Sequence, residues 1–312
     1  MKMPGLFLVG APRCGTTALS RYLAGHPHIC FSEPKEPNYF IACSDPLDPE
    51  NLQRHYLQRF FSHCRPEHQM LGEGSVSYLY SSEAIEAINT LNPEAKFIVS
   101  VRNPLDMIPS YHARTVYNTD ESCLDLETAW SLQGVRARGE QIPSCCREPR
   151  LLQYAQIGMC GKYLERLISI IARERIKVLV FDDLKSDSTA VYREVLAFLG
   201  LEDDGREVSG VIRGNQRFRS LWLQRLLKQP PFISKGRLVK RTGGMPGIKL
   251  PRAVKRIRSW LLGLNHVDCA REPLSDTMRE ALVTTFSADV AKLEQLLDRD
   301  LGHWLAPVSK NP

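Results

Sequence analysis

Short, mostly apolar runs alternate along the chain with longer segments whose apolar residues recur every three or four positions. Leu6 to Val9 is the first such run and stops at Gly10, and Phe97 to Val101 (FIVSV) and Lys177 to Phe181 (KVLVF) are two more. Runs this short and this rich in apolar residues predict buried strands. Helical spacing follows each of them. Thr17 to Leu23 ends at Gly25, His26 and Pro27; Pro104 opens a helix that carries Ser110 and Tyr111; Val191 to Leu199 ends at Gly200. Tyr163 to Ala172 and the long stretch Asp276 to Leu297 are helical as well. Strand feeding helix, repeated, predicts an α/β fold with a central, mostly parallel sheet flanked by helices.

The pattern loosens from Arg206 to Arg258, a basic stretch with Gly and Pro, and no internal repeat or low-complexity segment interrupts the chain. At 312 residues and 43% hydrophobic content the expectation is a single domain over 1–312, with about 205–270 as a basic loop or lid. A formal charge of +6 suits an anionic ligand, and the absence of dense Lys/Arg blocks argues against nucleic acid. The apolar start, MKMPGLFLVG, is too short to span a membrane and has no cleavage site, so no transmembrane segment or signal peptide is expected. Nine cysteines (14, 30, 43, 64, 123, 145, 146, 160 and 269) are scattered without CxxC spacing. That predicts neither a disulfide framework nor a zinc site and points to a reducing, cytoplasmic location, with Cys145 and Cys146 as free thiols in a loop.

Between the first strand and first helix lies GAPRCGTT, Gly10 to Thr17. A glycine loop there aims backbone N–H groups and a helix N-terminus at an anion. Gly10 and Gly15 permit close approach, Arg13 adds a fixed charge, and the Thr16 and Thr17 hydroxyls can donate. The fold expected is therefore P-loop-like and three-layered. Thr16 stands where the nucleotide-triphosphate loop GxxxxGK[ST] demands lysine, which weakens an ATPase or kinase reading.

With its helix and exit, GAPRCGTTALSRYLAGHPHI resembles the 5′-phosphosulfate loop of the sulfotransferases that use 3′-phosphoadenosine-5′-phosphosulfate (PAPS), particularly the heparan-sulfate branch and its bacterial relatives. PKEPNYF (34–40) is similar to the acidic motif that follows that loop, and VRNPLDMIPSYHAR (101–114) resembles the 3′-phosphate motif. GKYLERL, KVLVFDDL and DRDLGHWL extend the likeness over most of the chain, least firmly from about Gly205 to Ala270. The resemblance implies an enzyme that moves a sulfuryl group from PAPS to an acceptor hydroxyl, leaving adenosine 3′,5′-bisphosphate, with no metal expected. The acceptor it favours is a carbohydrate, with a lipid or other small alcohol next. Pro12, Arg13, Cys14, Gly15, Thr16 and Thr17 would bind the donor's 5′ side, and Arg102 with Ser110 the 3′-phosphate.

Glu36 matches the family's base, and Arg13 would bring positive charge to the leaving group. Glu33 is the alternative carboxylate, read as a solvated loop charge. Lys35 is a weaker candidate cation than Arg13. GEGSVSYLY (72–80) departs from the family segment: Gly74 replaces a lysine that contacts the sulfo group in the heparan-type enzymes. His26 and His28 read as helix-end capping residues, His112 as a helix residue without an acid partner, and Asp182 and Asp183 as caps of the following segment. Among Arg213, Arg217, Arg219, Arg237, Lys240 and Arg241, near Gly243 and Gly244, some are expected at the 3′-phosphate and others on a solvated basic surface. Two other readings stand beside the transferase: a Mg²⁺-dependent nucleotide kinase or NTPase, which the missing loop lysine opposes, and a non-catalytic nucleotide-binding module, which the intact Glu36 opposes.

Overall fold

The structure is a computed structural model that describes residues 2–209, 215–228, 252–269 and 273–306. Five strands form its central sheet: β1 (Leu6–Gly10), β2 (Ile29–Phe31), β3 (Met70–Glu73), β4 (Lys96–Val101) and β5 (Ile176–Val180). They run in the order β2-β3-β1-β4-β5, and every pairing is parallel.

Alternation along the strands divides the core in two. Phe7, Val9, Phe97 and Val99 face one side, where they pack with Ile85, Ile108, Leu164 and Phe286 from the helices Ser82–Leu91, Pro104–Tyr117, Cys160–Ile170 and Asp276–Leu297. Leu6, Leu8, Ile98 and Leu179 face the other, against Leu19 and Leu23 of the helix Thr16–Ala24 and Tyr192, Val195 and Leu196 of the helix Ser188–Leu199. Burial on both faces explains why these strands lack polar alternation in the sequence. Each fully buried aliphatic side chain contributes about 1.5–3 kcal/mol. The fold is α/β, three-layered and P-loop-like, as the strand-and-helix pattern predicts.

The elements read from the sequence recur within a few residues. Phe181 ends no strand; it opens the helix Phe181–Ser186. Two strands escape the sequence pattern, β2 and β3, which are three and four residues long. The stretch expected to be a loose loop also contains regular structure: β6 (Asn215–Phe218) pairs antiparallel with β7 (His266–Cys269), beside helices Leu221–Lys228 and Arg252–Leu264. Gln224 Nε2 donates to Tyr117 O (2.7 Å) and Asn265 Nδ2 donates to Gln224 Oε1 (3.0 Å), fastening this unit to the end of the helix Pro104–Tyr117. Arg219 is exposed there. Arg213, Arg237, Lys240, Arg241, Gly243, Gly244 and the side chain of Arg217 lie outside the described residues.

The absence of disulfides expected from cysteine spacing is corrected. Cys30 on β2 is bonded to Cys64, 34 residues on, with their Cα atoms 5.6 Å apart. Spacing carried no hint of the pair, because it is the edge position of β2 that brings the segment after the helix Gln58–Phe61 against it. His63 Nε2 lies 3.5 Å from Cys30 Sγ. Cys145 and Cys146 are not disulfide-bonded, as expected.

Candidate active site

Gly15 starts the site. It caps the helix Thr16–Ala24 in the left-handed region (φ 82°), and no side chain caps that helix, so its first N–H groups face the loop. A Cβ at Gly15 would sit 2.5 Å from Leu184 Cδ2, so sterics as well as φ require glycine. At Gly10 a Cβ would sit 2.4 Å from Leu79 Cδ2. The pairing of β1 with β4 shifts register between Leu8 and Gly10, where the chain leaves the sheet to form the loop. Ser100 on β4 fixes the loop from below: its carbonyl accepts from Ala11 N (2.6 Å) and its hydroxyl donates to Cys14 O (2.5 Å). Cys14 offers the site only backbone, since its buried thiol donates to Pro12 O and burial pushes it up to about 12.

The second motif meets the first. Arg13 Nε donates to Ser110 Oγ at 2.9 Å, and Arg102 Nη1 donates to Arg13 O at 3.2 Å. The Arg102 guanidinium lies over the Phe181 ring, 4.3 Å from its centroid, and 3.7 Å from Asp106. Asn103 positions the Ser110 helix by accepting from Leu105 N and donating to Trp304 O. Residues about 90 apart in sequence thus form one cationic cluster at the carboxyl ends of β1 and β4, the end at which ligands of open α/β sheets bind.

Glu36 lies on the same rim, exposed, and accepts from Lys35 Nζ at 3.1 Å. The same ammonium donates to Gly74 O (3.0 Å) and reaches Thr16 Oγ1 (3.5 Å). Burial lowers Lys35 from its ordinary pKa, and the Glu36 carboxylate opposes that shift. The Lys35 stem fills the space a side chain at Gly74 would take: a Cβ there would lie 2.8 Å from Lys35 Cε and 3.1 Å from Lys35 Cγ.

Under this loop is a fully buried carboxylate that the sequence reading passed over. Glu73 accepts from Tyr56 OH and from Ser75 Oγ (2.6 Å), and Ser75 Oγ in turn accepts from Asn38 N (2.9 Å), two residues past Glu36. Burial lifts Glu73 to about 7 despite its hydrogen bonds to Ser75, Tyr56 and Tyr78, with Glu36 adding to the rise. Through Ser75 it holds the loop that carries Glu36, and it is itself closed to solvent. The aromatic pair Tyr39 and Phe40 packs on Tyr56 and Tyr78, anchoring the other end of that loop.

Glu33 is exposed and enters only through its backbone N–H, which donates to Phe60 O. His26 is buried and holds Glu202 O and the His28 N–H, and His112 Nε2 lies 3.0 Å from Cys123 O. The expectation that Asp182 and Asp183 act as caps is corrected: they lie inside the first helical turn, where Asp182 accepts from Trp304 Nε1 and Asp183 pairs with Arg299. The two contacts tie the segment from Arg299 to Trp304, in which Leu301 and Trp304 are buried, to the helix Phe181–Ser186.

Residues 4–213 match the family model described as the sulfotransferase domain. Carbohydrate sulfotransferase 15 of Mus musculus is 23% identical over 246 residues, covering 64% of this chain and 44% of that protein. The bifunctional heparan sulfate N-deacetylase/N-sulfotransferase 3 of Homo sapiens is 27% identical over 205 residues, covering 64% of this chain and 22% of that protein. The human heparan sulfate glucosamine 3-O-sulfotransferase 6 is 22% identical over 273 residues, covering 82% and 67%. The chain thus spans less than half the length of the first two. A solved sulfotransferase from Alicyclobacillus acidocaldarius superposes with a TM-score of 0.67 at 24% identity, over 98% of this chain and all of that one, a likeness of fold. No helix among the described residues is long and apolar enough to cross a membrane.

Proposed function

Because the chain belongs to the sulfotransferase family, we propose that it transfers the sulfuryl group of PAPS to an acceptor hydroxyl, favouring a carbohydrate. The observation that carries this reading is the meeting of the two phosphate motifs: Arg102 on the Arg13 carbonyl and Arg13 on the Ser110 hydroxyl, beside an uncapped helix N-terminus. An anion held at the helix and a second at Arg102 and Ser110 would suit a nucleotide with 5′ and 3′ phosphates.

In this mechanism the first-turn N–H groups and the Thr16 and Thr17 hydroxyls hold the 5′-phosphate, and Arg102 and Ser110 hold the 3′-phosphate. Glu36, on the exposed rim, takes the proton of the acceptor hydroxyl. The freed oxygen attacks sulfur in line, and the bond from sulfur to the bridging phosphate oxygen breaks. Adenosine 3′,5′-bisphosphate leaves, its new charge met by Arg13 and the helix N-terminus. The carbohydrate preference is supported by relatives named for carbohydrate and heparan sulfate acceptors.

The test is transfer of labelled sulfuryl from PAPS to a panel of unsulfated glycans and small alcohols. Label on a glycan with wild type, lost with Glu36→Gln, is the expected result; label only on alcohols or lipids overturns the carbohydrate preference, and no label on any acceptor overturns the transferase.

A further inference from the structure

Sulfuryl transfer moves negative charge from the acceptor side to the phosphate side, and the oxygens of the moving group need a cation of their own. Arg13 commits its Nε to Ser110, and its charge is assigned above to the leaving phosphate, not to the sulfuryl oxygens. We propose that Lys35 is the catalytic cation at the sulfuryl group, admitted to the site by the missing side chain of Gly74; this rests on the sulfotransferase reading above.

Three contacts place the ammonium. Nζ donates to Glu36 Oε1 at 3.1 Å on the acceptor side, reaches Thr16 Oγ1 at 3.5 Å on the phosphate side, and donates to Gly74 O at 3.0 Å beneath. A group passing from phosphate to acceptor passes between the Thr16 and Glu36 contacts. Lysine suits the position because it is a compact charge with three donors that can change partners.

The room for Lys35 comes from residue 74. Gly74 is not among the residues with positive φ, so its backbone does not call for glycine. Space does: a Cβ would meet Lys35 Cε at 2.8 Å, Lys35 Cγ at 3.1 Å and Phe31 Cε1 at 3.2 Å. A side chain at 74 and this pose of Lys35 exclude each other, so the two positions offer alternative routes for one cation into one place.

The contacts also give Lys35 a second state. Without donor, the ammonium neutralises Glu36. Sulfuryl oxygens arriving at Nζ compete with the carboxylate for its protons, which releases Glu36 to accept the hydroxyl proton as the donor becomes seated. The turn itself does not depend on the ammonium, because the Lys35 carbonyl accepts from Gly74 N (3.0 Å) and Ser32 Oγ (3.1 Å).

The experiment needs no acceptor. Hydrolysis of PAPS to sulfate and adenosine 3′,5′-bisphosphate, with water as acceptor, is measured alongside calorimetric binding of PAPS and of the bisphosphate. The proteins are wild type, Lys35→Met, which keeps the stem and drops the charge, and the exchange Lys35→Ala/Gly74→Lys. Lys35→Met is expected to lower hydrolysis about 100-fold, the effect of losing one transition-state donor, and to weaken PAPS while leaving bisphosphate affinity unchanged. The exchange is expected to recover at least about tenfold of the loss. Wild-type hydrolysis and PAPS affinity in Lys35→Met overturn the proposal, as does an equal loss of PAPS and bisphosphate affinity, which would make Lys35 part of the nucleotide cradle. A wild type that binds no bisphosphate overturns the sulfotransferase reading itself.

Discussion

Arg13 and Ser110, 97 residues apart in the chain, are joined by a 2.9 Å hydrogen bond from Nε to Oγ. That bond couples the loop after β1 to the helix after β4, so loss of the hydroxyl removes the partner of a guanidinium and, under the proposed function, a donor to the 3′-phosphate. Hydrogen bonds to charged groups contribute about 1.5–3 kcal/mol. Ser110→Ala is expected to weaken adenosine 3′,5′-bisphosphate roughly 10- to 100-fold by calorimetry, and Ser110→Thr to weaken it less.

Glu73 makes stability depend on pH. Its folded pKa of about 7 lies above the ordinary 4.5. Between those values the folded protein keeps a proton that the unfolded chain releases, so stability falls as pH rises through that window and levels off above 7. The whole effect is at most about 3 kcal/mol. Glu73→Gln is expected to flatten the profile and to equal or exceed wild type at pH 8, read from urea midpoints between pH 5 and 8. Parallel profiles for the two proteins would contradict it.

Arg136 and Glu121 form a buried, two-pronged ion pair, with 2.6 and 2.9 Å contacts and side chains 1% and 0% exposed, to which Tyr154 OH adds a 2.7 Å hydrogen bond. Burial alone would raise Glu121, but its bonds to Arg136, Cys123 and Tyr154 hold it below the ordinary carboxylate value. Removing one partner strands the other. Arg136→Ala is expected to cost about 3–5 kcal/mol in denaturant unfolding, and Arg136→Ala/Glu121→Gln less than the sum of the single changes.

The Cys30–Cys64 bond closes a loop across the edge of the sheet, 34 residues in sequence separation. Loop-closure entropy makes it worth about 3–4 kcal/mol. Reduction, or Cys64→Ser, is expected to lower the melting temperature, and the loss should be the same with either treatment. Since the strand it anchors leads into the loop of Lys35 and Glu36, the reduced protein should also hydrolyse PAPS more slowly.

Much of this architecture was legible in the residues. β1, β4 and β5 announce themselves because burial on both faces leaves continuous apolar runs, each closed by a turn or helix signal. β2 (ICF) and β3 (MLGE) are too short to establish a period, and β3 ends in a charged residue whose burial only the fold explains. The glycine loop at 10–17 and the Arg102 and Ser110 motif stand out in the sequence because each is local, and the structure brings them together. Lys35 and Gly74 were not readable as a pair, because one residue's stem occupying another's empty Cβ is a matter of volume across 39 positions. The same holds for Cys30 and Cys64, whose sequence separation gives no distance, and for Glu73, whose partners Tyr56, Ser75 and Tyr78 come from different elements.

Under the proposed function, Arg13, Arg102, Ser110 and the helix N-terminus at Gly15 bind both phosphates of a 3′,5′-bisphosphorylated adenosine without a metal. The most direct measurement is calorimetric binding of adenosine 3′,5′-bisphosphate in the presence of chelator, beside ATP with Mg²⁺, for wild type, Arg102→Ala and Glu36→Gln. Tight bisphosphate binding that Arg102→Ala loses and Glu36→Gln keeps is the expected result. A preference for ATP with Mg²⁺, or bisphosphate binding indifferent to Arg102→Ala, would contradict it.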